Sequence, residues 1–586
     1  MDDFYNKIGD LRPNQLITTF GPGAIVDSIK DSVTVLDLNY WREKGTKIND
    51  SRLASYLQVD CFYSPRTSNL NDIPVVSFPY YHICKNLKCS KLFDLRKNFD
   101  IQKYLRLGPR CPYCGYEAYP SRFILTCEKG HLDDFPWNWW VHQGKNICKE
   151  ENLRITSSGN TSTLADMWVE CLNCGAKRSL GGATQPDNFR DLTCSGHHPF
   201  RPTVRNEKCS KPIIPSQRGA SNVYFSVIRS AISIPPWINP IYNLLDEHYK
   251  TILEFRKFGM QNPEDKIYEE YFKESFSRQD FDEALKQRDQ NIREFTDIKT
   301  MEYNAITHFN DPVYETNKKH FKAKEETDIP LDMKKYISRV INISRLREVM
   351  VLLGFTRVEA PDPDADEQKN ITYLTKNKNE RWLPGVEING EGIFIEFDTN
   401  NLNDWMRKHN VKKLSDYYAN TYEQYCQSRG WSVNYLKDAK YVLLHTFSHL
   451  LIKQMSLKSG YSSSAIKERI YCNDKMNGIL LYTGSSDKEG SLGGLVELGK
   501  MSNLINLIKE SFEEAMACTN DPECLHNLPH DDSSNGAACH SCCMISETAC
   551  ENGNRMLDRG LVVPLNGREK DSYFKEFVEK LCQLKI

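Results

Sequence analysis

Hydrophobic positions along this chain follow three rhythms. Near the N-terminus, Ile25-Val26 and Val33-Thr34-Val35-Leu36 are short β-branched runs around Lys30-Asp31-Ser32, a hairpin-like pattern. From about residue 240 to 345 the sequence becomes charged, as in Glu264 to Lys286, with apolar residues three and four positions apart. That spacing predicts helices that each bury one face. Further on, Gly392-Ile-Phe-Ile-Glu-Phe397 and Gly478-Ile-Leu-Leu-Tyr-Thr483 read as buried strands. Between them, Asn434 to Leu457 is apolar nearly all round and reads as a buried helix. An acidic, proline-broken stretch from Pro361 to Glu367 marks a boundary or insertion.

These rhythms predict an α+β multidomain chain. Its N-terminal half is rich in zinc ribbons, its middle is helical, and an α/β C-terminal domain carries a last cysteine cluster. The expected divisions are a β-rich module over 1–80, a zinc-ribbon region over 81–215, a helical region over 216–345 and a C-terminal α/β zinc-binding domain over 346–586. A length of 586 residues agrees, being too great for one ordinary core. The N-terminus has no basic region followed by an apolar stretch, and no apolar run is long enough to span a bilayer. A cytoplasmic protein is therefore expected.

The chain contains 20 cysteines, and in a reducing compartment such clusters favour metal over disulfides. Cys84, Cys89, Cys111 and Cys114 form two knuckles about twenty residues apart, the arrangement of a zinc ribbon. Cys171 and Cys174 with Cys194 and Cys209 suggest a second site, in which His197 or His198 can replace one thiolate. Cys127, His131, His142 and Cys148 make a third candidate; a buried cysteine and a hydrogen-bonded histidine explain them equally well. Near the C-terminus, Cys524, Cys539, Cys542 and Cys550 are the expected ligands, with Cys518 as the substitute. Cys61, Cys426, Cys472 and Cys582 stand alone and read as ordinary buried residues.

The net charge of −2 excludes a polycation that coats nucleic acid. Between 81 and 215, however, 20 Lys+Arg face 13 Asp+Glu. Lys88, Lys91, Arg96, Lys97, Lys103 and Arg106, interleaved with Phe93, Phe99 and Tyr104, form a candidate nucleic-acid surface. A solvated ribbon loop is the plainer explanation.

Catalytic patterns are sparse. Thr19-Phe-Gly-Pro-Gly23 lacks the Gly-Lys-Ser/Thr ending of a nucleotide-binding loop, and no such loop occurs elsewhere. His445-Thr-Phe-Ser-His449 has zincin spacing, but a threonine stands where the catalytic glutamate belongs. Buried, satisfied histidines therefore compete with a metal-dependent hydrolase that uses His445 and His449. The turn from Ser485 to Gly494 can receive an anion on its amides, although a plain tight turn suffices. No catalytic constellation emerges, and the chain is expected not to be an enzyme.

Three N-terminal motifs are long and ordered: Arg12-Pro-Asn-Gln-Leu-Ile-Thr-Thr-Phe-Gly-Pro-Gly-Ala24, Gly130-His-Leu-Asp-Asp-Phe-Pro-Trp137 and Gln217-Arg-Gly-Ala-Ser-Asn222. Together with His445 to Leu451, Gly490 to Leu495, and the ending Ala538-Cys-His-Ser-Cys542, Glu547 to Cys550 and Asn554 to Arg559, they resemble the DrmB family of bacterial DISARM anti-phage systems. The ending is similar to the zinc-binding domain of MrfA-type helicases. Cys543 departs from that pattern, which has an apolar residue there. The resemblance implies a zinc-binding, non-ATPase subunit that pairs with a superfamily 2 helicase, DrmA, and helps it engage foreign DNA. A purely structural adaptor without nucleic-acid contact is the other reading.

Overall fold

A computed structural model describes residues 9–583, apart from 29–30, 67–72, 99, 158–162, 235–239, 292–296, 312–320, 362–369, 378–379, 432, 434–436, 463, 486–492 and 531–533. Phe99, Lys30, most of the Pro361–Glu367 stretch, the first residues of the Asn434 helix and most of the Ser485–Gly494 turn therefore lie outside the described residues.

A large sheet dominates the C-terminal half. Its strands run in the order Phe225–Ser233, Ile337–Thr356, Trp382–Phe397, Asn477–Ser485 and Ile466–Cys472, each antiparallel to the next. Cys61–Tyr63 joins parallel to the start of Trp382–Phe397, tying the N-terminal segment to this sheet. Both ends of the stretch expected to be helical, Phe225–Ser233 and Ile337–Thr356, enter the sheet. Their β-branched runs pack on a pleated surface, and helices occupy the charged interval between them, including Pro240–Lys257, Arg278–Asn291 and Ile298–Thr307.

The apolar runs lack polar alternation because the sheet is covered on both faces. Ile393, Ile395, Ile479 and Leu481 point into a core shared with the helix Ala439–Ser459. Their neighbours Phe394, Leu480 and Tyr482 point the other way, onto a cluster with Tyr303 and Ile306 of the helix Ile298–Thr307. Side-chain period two thus feeds two cores from one strand. Ala439–Ser459 is apolar all round for a related reason: His409–Ser428, Met501–Ala515 and residues between Met556 and Val578 enclose it against the sheet. Asp438 caps its N-terminus by accepting from the Tyr441 amide at 3.1 Å. No helix among the described residues is long and apolar enough to cross a membrane.

The cysteine-rich region from Tyr81 to Gln217 is built on two smaller sheets. One has six strands in the order Lys177–Ser179, Met167–Cys171, Leu153–Ser157, Lys91–Asp94, Tyr81–Cys84 and Ala118–Pro120; the other joins Leu132–Asp134, Phe123–Thr126 and Ile214–Gln217. Phe135, Trp137, Trp140 and Phe189 fill the core between them.

Buried Arg357 clamps the N-terminal half to the large sheet. Its Nε donates to the Gly130 carbonyl at 3.0 Å, one Nη to the Gly23 carbonyl at 2.8 Å, and the other Nη to the Val223 carbonyl. Three of the long sequence motifs meet at or beside this one guanidinium. Gly23 and Gly130 both have positive φ, and a Cβ would stand 2.6 Å from the Phe355 ring at Gly23 and 1.8 Å from Thr372 Oγ1 at Gly130. The Phe-Gly-Pro-Gly turn is thus shaped by close packing.

Candidate metal centres

Four groups of sulfur-rich donors stand out among the described residues, and in each the donor atoms all lie within 4.8 Å of one another. The first joins Cys84, Cys89, Cys111 and Cys114, with Sγ–Sγ contacts of 3.4 Å between Cys84 and Cys114 and 3.8 Å between Cys89 and Cys111. The strand Tyr81–Cys84 delivers the first thiol. Gly115, at φ 74°, closes the second knuckle by donating to the Cys111 carbonyl. Burial pushes the Cys84 thiol up, whereas the Tyr116 amide draws exposed Cys114 down to about 7. Thiols held this close need a cation to become four thiolates together.

The next two groups differ from the linear reading. Cys127 and His131 join Cys194 and Cys209, while His142 and Cys148 join Cys171 and Cys174. Strand pairing explains the exchange. Thr126 pairs with Ile214, and Thr193 bridges to Pro212, so Cys127, Cys194 and Cys209 converge. Leu153 pairs with Cys171, and the helix Trp137–His142 packs on the strands Met167–Cys171 and Lys177–Ser179, which brings Cys148 and His142 to the other knuckle. Neighbours in sequence were expected to share a centre; the sheets interleave them instead.

In the second group His131 Nδ1 lies 3.3 Å from Cys194 Sγ, and its Nε2 lies 3.2 Å from Glu207. In the third, His142 Nε2 lies 3.3 Å from Cys174 Sγ, and its Nδ1 lies 2.7 Å from the Asn138 carbonyl. Each imidazole therefore turns one nitrogen to the sulfurs and anchors the other on an oxygen, as metal-bound histidines do. His198 remains outside the second group, with Nε2 3.3 Å from Glu207, and His197 stands beside Asp133.

The fourth group takes Cys518, not Cys550, with Cys524, Cys539 and Cys542. Sγ–Sγ contacts are 3.5 Å for Cys518–Cys539 and 3.7 Å for Cys524–Cys542. Cys550 belongs elsewhere because the turn after Cys543 carries it back to the helix Ala439–Ser459, where it meets His445 at 3.2 Å. Cys543 is fully buried in the core, where a small thiol replaces the expected apolar side chain. Cys426 is also buried, Cys61 and Cys472 are half-buried, and Cys582 is exposed on the last helix.

Backbone amides aimed at sulfur mark these groups as thiolate sites. Asn86 N reaches Cys84 Sγ at 3.4 Å, Gly196 N reaches Cys194 Sγ at 3.4 Å, and Asn520 N reaches Cys518 Sγ at 3.4 Å. Sets of four sulfurs, or of three sulfurs completed by one imidazole, suit zinc. Four protein donors fill a tetrahedron, which fits structural bracing.

His445 and His449 are completely buried, as is the helix face that carries them. A substrate has no solvent-facing approach to either ring, which removes the geometric basis for a hydrolase there.

The basic residues divide in two. Lys91 bonds Asn152 and lies over the Tyr113 ring, Arg96 is held by Asp94 and lies over Tyr80, and Lys97 pairs with Glu151 at 2.7 Å. Lys88, Lys103 and Arg106 are exposed on the same ribbon. Phe93 is buried, and Tyr104 donates to Asp31, so neither ring is presented for stacking on a base.

Comparison with known proteins agrees with this geometry. Residues 12–225 match a domain of unknown function, DUF8724, and residues 447–543 match the MrfA Zn-binding domain. The second match contains the whole fourth group, and zinc is the cofactor that it and the cysteine groups indicate. The DISARM protein DrmB of Bacillus paralicheniformis is 43% identical over 567 residues, covering 94% of this chain and 100% of that protein. At that identity and coverage, this chain belongs to the DrmB family.

Proposed function

We propose that this chain is a zinc-braced, non-catalytic subunit of a cytoplasmic DISARM anti-phage complex, in which it pairs with a DrmA-like superfamily 2 helicase and contributes part of the DNA-contact surface. The observation that carries this reading is the likeness, at 43% identity across nearly the whole chain, to a DISARM protein. Closed donor sets support the non-catalytic part, because a tetrahedron filled by protein leaves no position for substrate. The absence of a nucleotide-binding loop from the sequence leaves ATP hydrolysis to the partner.

Exposed Lys88, Lys103 and Arg106 support the DNA part. They sit on one zinc-held ribbon, whereas Lys91, Arg96 and Lys97 already have carboxylate, amide or ring partners. The test is binding of labelled single-stranded DNA by the complex with its helicase, across a salt series. Charge reversal at Lys88, Lys103 and Arg106 should weaken binding and flatten the salt dependence, by about 0.7 in log–log slope for each phosphate that is no longer neutralised. Unchanged affinity and slope would leave this chain as an adaptor that does not touch nucleic acid. Failure to co-purify with the helicase would remove the pairing.

A further inference from the structure

We infer that His445, His449, Glu468 and Cys550 form a fifth, largely buried divalent-metal centre of zinc type, which bolts the edge of the large sheet to the C-terminal segment. This goes beyond the proposed function and does not depend on helicase or DNA binding. The matched zinc-binding stretch ends at residue 543, short of Cys550, and begins after His445.

The four donors come from three elements. His445 and His449 lie one turn apart on Ala439–Ser459, Glu468 is on the edge strand Ile466–Cys472, and Cys550 is in the loop beyond the fourth group. All the donor atoms lie within 4.8 Å of one another. Glu468 Oε1 is 2.9 Å from His445 Nε2 and 3.2 Å from His449 Nε2, and Cys550 Sγ is 3.2 Å from His445 Nε2. That N–S distance matches the 3.3 Å found in the second and third groups.

Hydrogen bonding around the group points to a cation within it. His445 Nδ1 lies 3.2 Å from the Met556 carbonyl, and His449 Nδ1 lies 3.0 Å from the Cys543 carbonyl. A carbonyl only accepts, so each Nδ1 carries a proton and each Nε2 turns inward. A neutral Nε2 then offers a lone pair to a carboxylate and a sulfur, which are themselves acceptors. The outer contacts are those of held ligands: Ser448 donates to Glu468 Oε2, Glu551 N donates to Oε1 at 3.1 Å, and the Asn552 and Asn554 amides reach Cys550 Sγ at 3.3 and 3.1 Å. Two neutral imidazoles, one carboxylate and one thiolate sum to −2, which one divalent ion cancels. Protonating both rings also balances the charge, but sets two imidazolium rings 4.5 Å apart in the interior.

Its mechanical role follows from its neighbours. Glu468 N donates to the Ala549 carbonyl at 3.2 Å and Ile470 N to Glu551 at 2.9 Å, so residues 549–551 run along the open edge of the last strand. The metal would lock this arrangement from the side of the buried helix. All four side chains are largely buried, so the centre braces the fold.

Native mass spectrometry of the full-length, zinc-reconstituted protein, equilibrated with a chelator at a concentration that leaves the wild type loaded, tests this by comparing wild type with Cys550→Ser. The wild type should hold one more zinc equivalent than the folded variant, whatever the occupancy of the sulfur-rich groups. A wild-type count below four that still falls by one would count against those other groups and support this one. Equal counts in the two proteins would overturn the inference and leave the histidines as protonated partners of Glu468. If Cys550→Ser does not fold, Glu468→Gln, which keeps side-chain length and the Ser448 contact, carries the same comparison with the same two outcomes.

Discussion

Replacing Cys209 with serine separates the ligand sets drawn by the fold from those drawn by proximity in sequence. Cys209 Sγ lies 3.7 Å from Cys127 Sγ, and its group is completed by His131 and Cys194. Structural zinc sites bind with roughly 10–16 kcal/mol in total, so loss of one of four ligands removes ~3 kcal/mol, on the order of 100-fold in metal affinity. At a chelator concentration that leaves the wild type loaded, Cys209→Ser should therefore release one zinc. The site of release is read by thiol alkylation and peptide mapping: Cys127 and Cys194 should become reactive, while Cys171 and Cys174 stay protected. The opposite pattern, with Cys171 and Cys174 exposed to reagent, would restore the sequential grouping and refute the strand-pairing argument.

Other perturbations probe the frame around these centres. Arg357→Leu leaves the Gly23, Gly130 and Val223 carbonyls without their donor, at roughly 1–3 kcal/mol each. Relief of guanidinium desolvation offsets part of this, so a net loss of about 3 kcal/mol is expected. Hydrogen exchange should accelerate in the turns at 21–24 and 127–132, and unchanged exchange there would contradict the clamp. Burial works against ionisation of Asp31, but hydrogen bonds from His82, Tyr104 and Ser77 outweigh it and hold the carboxyl below its ordinary 3.8. A depressed folded-state value stabilises the protein fully above the unfolded value, and this contribution fades as the pH falls through the folded one. Asp31→Asn should lower stability near neutral pH and flatten the acid limb below about pH 4 in a pH series of thermal unfolding; an unaltered acid limb would count against the assignment.

Local chemistry was legible in the chain and long-range partnering was not. Cys84-x4-Cys89 with Cys111-x2-Cys114 is closed by two nearby knuckles, and the structure brings those four thiols together. The ligands of the second and third groups are divided between centres by strand register, which no spacing rule encodes, so Cys148 and Cys209 changed partners. Cys550 left the fourth group because the turn after Cys543 carries it back to His445, a return that no cysteine spacing encodes. The buried runs Gly392–Phe397 and Gly478–Thr483 were readable as strands and the charged stretch after residue 240 as helices, but not that one of those helices, Ile298–Thr307, covers a face of the sheet. Arg357 gave no sequence signal at all; the conjunction of the positive-φ glycines at 23 and 130 becomes intelligible once the guanidinium between them is seen.

Zinc held within closed sets of protein donors is the proposed brace of this chain. Anomalous scattering recorded across the zinc absorption edge from crystals of the zinc-loaded protein tests this most directly. Peaks are expected among Cys84/Cys89/Cys111/Cys114, Cys127/His131/Cys194/Cys209, His142/Cys148/Cys171/Cys174 and Cys518/Cys524/Cys539/Cys542, each with four protein ligands and no bound water. A zinc with an open, solvent-filled position at any of these groups, or no peak at them, would contradict it.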